Sequence, residues 1–196
     1  MSVEPDPIAV TLLVTQLFDE LQIPYVVVGS LASSYYGVSR SSLDSDIVTN
    51  LSADQVPALI DRLGSDFYVD ELAARGAVQN RGSFNLVHRP TMFRVDIFVS
   101  KQRPFDQAQF KRGRVLKLDE RGNRMTTLAS AEDTILGKLE WFRLGNDISD
   151  RQWQDVLGIL RVQKDELDLD LLQDWASKIG VSDLLSKALK EAETND

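Results

Sequence analysis

Apolar residues recur at helical spacing through PIAVTLLVTQLFDELQ, residues 7–22, with Pro7 suited to a first turn, so this stretch reads as a helix. The run YVVVG that follows, β-branched and closed by glycine, reads as a buried strand. LASSYYG reads as a short helix or turn ending at Gly37, and LDSDIVT as a second strand whose side chains alternate between faces. Ser52 is placed to cap a helix over 53–63, with Gly64 just beyond its end. RGSFNLVH and TMFRVDIFVS read as paired strands joined at an Arg89-Pro90 turn. Residues 111–127 read as two further short strands around the turn signal Glu120-Arg121-Gly122-Asn123.

From Ser130 the pattern changes. SAEDTILGKLEWFRLG opens with the capping pair Ser130 and Asp133 and runs helically to Gly145. Residues 149–162, 168–179 and 182–193 continue as helices. The chain therefore reads as an α/β part over residues 1–128 and a helical part over 129–196. No repeat or low-complexity linker intervenes, so the two are expected to pack as one unit.

Composition narrows the chemistry. With 196 residues, 43% of them hydrophobic, the chain can bury a sizeable core. It has no cysteine, which removes disulfides, zinc–thiolate sites, iron–sulfur clusters and thiol nucleophiles together. The opening MSVEPDPIAV lacks the basic-then-apolar order of a secretory signal, and no apolar run approaches the roughly 18 residues of a membrane span. A cytoplasmic protein is expected. The net charge of −8 disfavours coating of nucleic acid by bulk electrostatics, but the charge is uneven. Residues 129–196 carry 8 basic and 15 acidic side chains, whereas Lys101 to Arg124 holds eight basic against three acidic. That strip is either a phosphate-facing surface or a solvated hairpin.

The chemistry concentrates near residues 29–46. Asp44 and Asp46 lie two apart in a strand, so both carboxylates leave one face while Ser45 and Ile47 face the other way. Adjacent anions repel unless a cation lies between them, and a hard divalent ion such as Mg²⁺ or Mn²⁺ takes oxygen ligands of this kind. Asp96, set between Val95 and Ile97, could supply a third carboxylate from a neighbouring strand, the arrangement used for in-line displacement at phosphorus. Gly29-Ser30 ends one strand and opens a helix, where backbone N–H groups can meet a phosphate and glycine permits close approach. Thirteen residues separate Ser30 from Asp44, enough for a short helix and a return to the adjacent strand, so cradle and carboxylates are expected at one sheet edge. Arg40, Ser41 and Ser42 stand just before the pair, where Arg40 could bind a phosphate or steady an aspartate.

The whole pattern, VVVGSLASSYYGVSRSSLDSDIVT with FRVDIFV later, resembles the signature of the polymerase-β-like nucleotidyltransferase superfamily. In that signature hydrophobic-Gly-Ser precedes Asp-x-Asp and a third Asp follows on a later strand, here Gly29, Ser30, Asp44, Asp46 and Asp96. Gly37 to Ser42 is similar to the Gly-x-x-Arg-x-Thr/Ser segment of small bacterial members. Glu132, Asp133, Lys138, Asp150, Arg151 and Asp155 loosely match the helical continuation of nucleotidyltransferases grouped with type IV toxin–antitoxin toxins. The resemblance implies an α/β nucleotidyltransferase fold, a short mixed sheet flanked by helices with a C-terminal helical extension. It also implies NTP as substrate, Asp44, Asp46 and Asp96 as catalytic metal ligands, and Gly29, Ser30, Arg40, Ser42 and Lys138 as nucleotide contacts. The acceptor hydroxyl would belong to a tRNA end, a protein or a small molecule, and an antitoxin-like protein partner is implied as well.

Other features carry competing readings. Asp168-Leu169-Asp170 repeats the Asp-x-Asp spacing at a helix start, where capping or solvation is the better account. Lys138 could reach a triphosphate or join an intrahelical ion network with Asp133 and Glu140. Arg94, on the same strand face as Asp96, is either a substrate contact or an internal counter-ion. His88 alone cannot anchor a zinc site, and Trp141, Trp153 and Trp175 are expected to pack. The rival to an enzyme is a binding protein that keeps the fold and holds a nucleotide or a partner without turnover.

Overall fold

A computed structural model of the chain describes residues 6–118 and 124–194; the turn expected at Glu120 to Asn123 lies outside the described residues. In chain order these form α1 (Pro7–Glu20), β1 (Tyr25–Val28), α2 (Gly29–Tyr36), β2 (Asp44–Thr49) and α3 (Val56–Leu63). Then come β3 (Phe67–Tyr68), α4 (Glu71–Asn80), β4 (Ser83–His88), β5 (Phe93–Val99), α5 (Pro104–Arg112), β6 (Arg114–Lys117) and β7 (Met125–Leu128). Four helices follow: α6 (Ala131–Leu144), α7 (Asp150–Val162), α8 (Leu169–Ile179) and α9 (Ser182–Thr194). The chain divides into two compact units. One runs to Val28 and resumes from Ser42 to Leu128; the other joins Gly29–Ser41 to everything from Ala129 onward.

The first unit is built on a mixed seven-stranded sheet in the order β3-β4-β5-β2-β1-β7-β6. β1 and β2 are antiparallel, β2 and β5 are parallel, and β4 and β5 form the expected antiparallel pair. Alternation decides the faces: along β2 Ser45, Ile47 and Thr49 are buried while Asp44, Asp46 and Val48 are half-exposed. Val95, Ile97 and Val99 repeat the pattern on β5, and α1 lies against β2, β5 and β7, burying Val14 and Phe18. Asp6 caps α1 by accepting from the backbone N–H groups of Ile8 and Ala9, with Pro7 in the first turn as expected.

The cap expected at Ser52 is not there. α3 starts later, at Val56 after Gln55, and the Ser52 hydroxyl donates instead to Gln55 Oε1 at 2.8 Å. Pro57, in the first turn, has no N–H to miss and sets where the helix can open. The structure also adds β3, α4 and α5, which the apolar pattern did not announce.

The second unit is helical. α2 lies against α6 and α7, α6 against α7 and α8, and α9 against α7 and α8. Ser130 caps α6 by accepting from the Asp133 N–H at 3.1 Å, Ser149 caps α7, and Asp168 caps α8. Asp168 thus has the capping role that its place at a helix start suggested. α2 and α7 meet at two glycines: a Cβ on Gly37 would stand 2.9 Å from Ile159 N and 3.0 Å from Gly158 C. No helix among the described residues is long and apolar enough to cross a membrane.

Candidate active site

In the first unit, register brings the predicted carboxylates together. Parallel pairing of β2 with β5 sets Asp46 opposite Asp96 and Asp44 opposite Arg94. All four side chains leave the same sheet face, because each lies an even number of residues from its strand neighbour. On the other side of β5, antiparallel β4 sets Asn85 opposite Asp96, so a further exposed amide joins that face. Val28, the last residue of β1, pairs with Asp46, and Gly29 follows it in the chain. The Ser42 hydroxyl donates to Asp44 Oδ1 at 3.1 Å, which ties the approach to β2 to the first carboxylate.

Arg94 answers the charge problem that three neighbouring carboxylates create. Its Nη2 stands 3.1 Å from Asp44 Oδ2 and 3.0 Å from Asp96 Oδ2. Of the two readings open for Arg94, the side chain adopts that of an internal counter-ion. Asp96 is held above the usual carboxylate range, chiefly because burial disfavours its charged form; Arg94 pulls it back down and Asp44 pushes it up. The donor set is oxygen only, as a hard divalent cation requires, and the Arg94 guanidinium already marks a place between two of the carboxylates where positive charge is accepted. Among the described residues, no group of three His, Cys, Asp or Glu side chains is set to hold a metal ion.

In the second unit, Gly29 opens α2 with a φ of 64°, in the left-handed region that glycine enters without a Cβ clash. Ser30 is buried, and its carbonyl accepts the Ser33 hydroxyl at 3.1 Å. Arg40 and Lys138, both expected near a nucleotide, converge on one residue of α7. Arg40 donates through Nε and Nη2 to the two Asp155 oxygens at 2.8 and 2.7 Å, and Lys138 Nζ donates to Asp155 Oδ2 at 2.7 Å and to Gln152 at 3.2 Å. The Lys138 and Asp155 side chains are only 7% and 8% exposed. Burial alone would raise the Asp155 pKa; the bonds from Arg40 and Lys138 outweigh it and hold the carboxyl below its ordinary value. Lys138 thereby links α6 to α7. Of the other loosely matched residues, Glu132 is buried and accepts the Asp168 backbone N–H, and Asp133 is fully buried.

Sequence reasoning passed over Asn85 and did not join Asp155 to Lys138. The second had a signal. Lys138 stands three and four residues from Ile135 and Phe142 on one apolar helical face, a place where an ammonium needs a buried partner. His88 has its Nδ1 2.8 Å from the Thr91 hydroxyl and a ring contact with Phe67, and Trp153 packs on Phe142, so these serve structure. Trp141 is more than half exposed.

No family model and no curated protein sequence matches this chain. Its fold does match solved structures. An antigenic nucleotidyltransferase-like protein from Paracoccidioides brasiliensis superposes with a TM-score of 0.58 at 18% identity, covering 96% of this chain and 94% of that one. The antibiotic-resistance factor ANT(2'')-Ia in solution superposes with a TM-score of 0.55 at 15% identity, covering 98% and 100%. The same factor in complex with adenylyl-2''-tobramycin gives 0.55 at 12% identity, covering 88% and 95%. These likenesses show the fold: the chain has a nucleotidyltransferase fold, a mixed sheet with C-terminal helices.

Proposed function

We propose that this protein is a metal-dependent nucleotidyltransferase that moves a nucleoside monophosphate from an NTP to an acceptor hydroxyl. The observation that carries the reading is the register of β2 on β5, which sets Asp44, Asp46 and Asp96 on one face of a sheet with this fold. Asp44, Asp46 and Asp96 would hold Mg²⁺ or Mn²⁺, which when bound would neutralise the triphosphate and stabilise charge on the departing pyrophosphate. The acceptor oxygen attacks the α-phosphorus, the bond to the β-phosphate oxygen breaks, and the acceptor proton passes to a carboxylate. Asp96, the third carboxylate of that face, is assigned the role of accepting that proton. Gly29 and Ser30 are assigned the β- and γ-phosphates, and Arg40, Ser42 and Lys138 the nucleotide. For Arg40 and Lys138 this means sharing their charge between phosphate and Asp155.

ANT(2'')-Ia is bound to adenylyl-2''-tobramycin in one of the similar structures, which makes a hydroxylated small molecule the first acceptor to try, ahead of a tRNA end or a protein. A role beside an antitoxin-like partner, and a cytoplasmic location, rest on the sequence alone. Asp46→Asn is expected to abolish pyrophosphate release while the melting temperature and circular dichroism stay as in the wild type. Full activity in that variant would sink the mechanism. The second reading, a nucleotide- or partner-binding protein without turnover, draws on the Arg94 bridge, which satisfies two carboxylates without a metal. Nucleotide-dependent thermal stabilisation without pyrophosphate release against any acceptor would favour it.

A further inference from the structure

The proposed metal needs the carboxylates that the chain has already given a cation. Arg94 reaches both from one atom: its strand position opposite Asp44 and two residues before Asp96 brings Nη2 within 3.1 and 3.0 Å of one oxygen of each. A divalent ion bound by the same oxygens would lie at roughly 2.0–2.1 Å from them. Guanidinium and metal therefore compete for the same two carboxylates. Arg94 can yield. Its side chain is 49% exposed, both of its described ion pairs are the two just named, and a long flexible stem lets the charged head return to water with little penalty.

We propose that Arg94 is a built-in counter-cation which occupies the space between Asp44 and Asp96 until a divalent ion displaces it, and which thereby sets how tightly that ion binds. The inference rests on the metal-dependent reading above and goes beyond it by assigning a tuning role to a residue that is neither metal ligand nor substrate contact. Two consequences follow. Without Arg94 the three carboxylates repel one another in the metal-free protein, so that state loses stability. By linkage, whatever raises the free energy of the metal-free state deepens metal binding.

The test is a Mn²⁺ titration of the full chain followed by the electron paramagnetic resonance signal of free Mn²⁺, with and without a non-hydrolysable ATP analogue. Wild type, Arg94→Met, Arg94→Lys and Asp46→Asn are compared. Arg94→Met is expected to bind Mn²⁺ about tenfold more tightly than the wild type, equivalent to about 1.4 kcal/mol. It should melt lower in EDTA and gain more from Mn²⁺. Arg94→Lys, which keeps the charge, should stay near wild-type affinity, and Asp46→Asn should bind weakly. Unchanged or weaker Mn²⁺ binding by Arg94→Met, with Asp46→Asn still impaired, would overturn the tuning role and leave the metal site standing. Loss of affinity for the metal-free nucleotide in Arg94→Met at constant Mn²⁺ affinity would overturn it too, in favour of a substrate contact. Absence of Mn²⁺ binding in the wild type, with and without the analogue, would overturn the metal-dependent reading itself and this inference with it.

Discussion

Adding one methyl group to Gly37 separates the consequences of shape from those of helix propensity. Gly37 follows α2 and meets α7, where an added Cβ would stand 2.9 Å from Ile159 N, 3.0 Å from Gly158 C and 3.0 Å from Ser33 O. All three neighbours are backbone atoms, so no side chain can rotate aside and the two segments must separate by a few tenths of an ångström. Gly37 has no left-handed φ, so the penalty comes from space alone. Overpacking of this kind costs about 1–3 kcal/mol, against a gain of about 0.4–1 kcal/mol from a stiffer unfolded chain. Gly37→Ala should therefore lose roughly 1–2 kcal/mol net. For a chain of this length that is a fall in Tm of about 2–8 °C.

Gly137, inside α6 of the same unit, meets nothing within 4 Å when given a Cβ. Gly137→Ala should gain up to about 1 kcal/mol from helix propensity. Urea unfolding of both variants, read as midpoints at an unchanged slope, makes the comparison. A Gly37→Ala protein as stable as the wild type would refute the close approach of Gly37 to Gly158. That approach lies three residues before Arg40, so the Arg40–Asp155 pair should loosen in the same variant.

Other outcomes follow from the same structure. Asp155→Ala removes the carboxylate shared by Arg40 and Lys138 and is expected to cost about 3–5 kcal/mol, read as a loss of urea midpoint. Because the folded-state pKa of Asp155 is depressed, its contribution is complete above its ordinary value of 3.8 and fades as pH falls through the lower folded value. The stability gap between wild type and Asp155→Asn should accordingly be constant near neutrality and close in acid. A gap that persists undiminished in strong acid would contradict the ion network. Ser130→Ala removes the cap of α6 and should lower stability by about 1 kcal/mol, measured by the same denaturation.

The carboxylate face was legible because alternation in a strand is a simple rule. LDSDIVT and FRVDIFV put their aspartates on the face away from Ile47 and from Val95 and Ile97, whichever strand lies alongside. Which residue faces which was not legible, since register is set by pairing between distant segments; the meeting of Arg94 with Asp44 depends on it. α4 escaped notice because ELAARGAVQN has few large apolar residues and a central Gly76, leaving Asp70 as its clearest sign. α5 was masked by the charge of the basic strip, although Pro104 at its start and buried Phe105, Asp106 and Gln109 mark an inward face. β3 has two residues, too few for any period to show. In the helical unit, caps at Ser130 and Asp168 were readable locally, whereas Lys138 and Asp155 lie on successive helices and meet only through packing.

The ends of the sheet bear on how this protein behaves at high concentration. A terminal strand offers unpaired backbone groups to any extended segment that comes by, including the same strand of another copy. Here β6 ends one side with Arg114 and Lys117 exposed beside a 63% exposed Val115, and β3 ends the other with two residues and Arg89 resting 5.5 Å over the Tyr68 ring. Two copies approaching border to border at β6 would bring like charges together before any ladder could form. Arg114 and Lys117 thus weigh against pairing of this edge with its own kind, keeping a valine-bearing margin from a second copy.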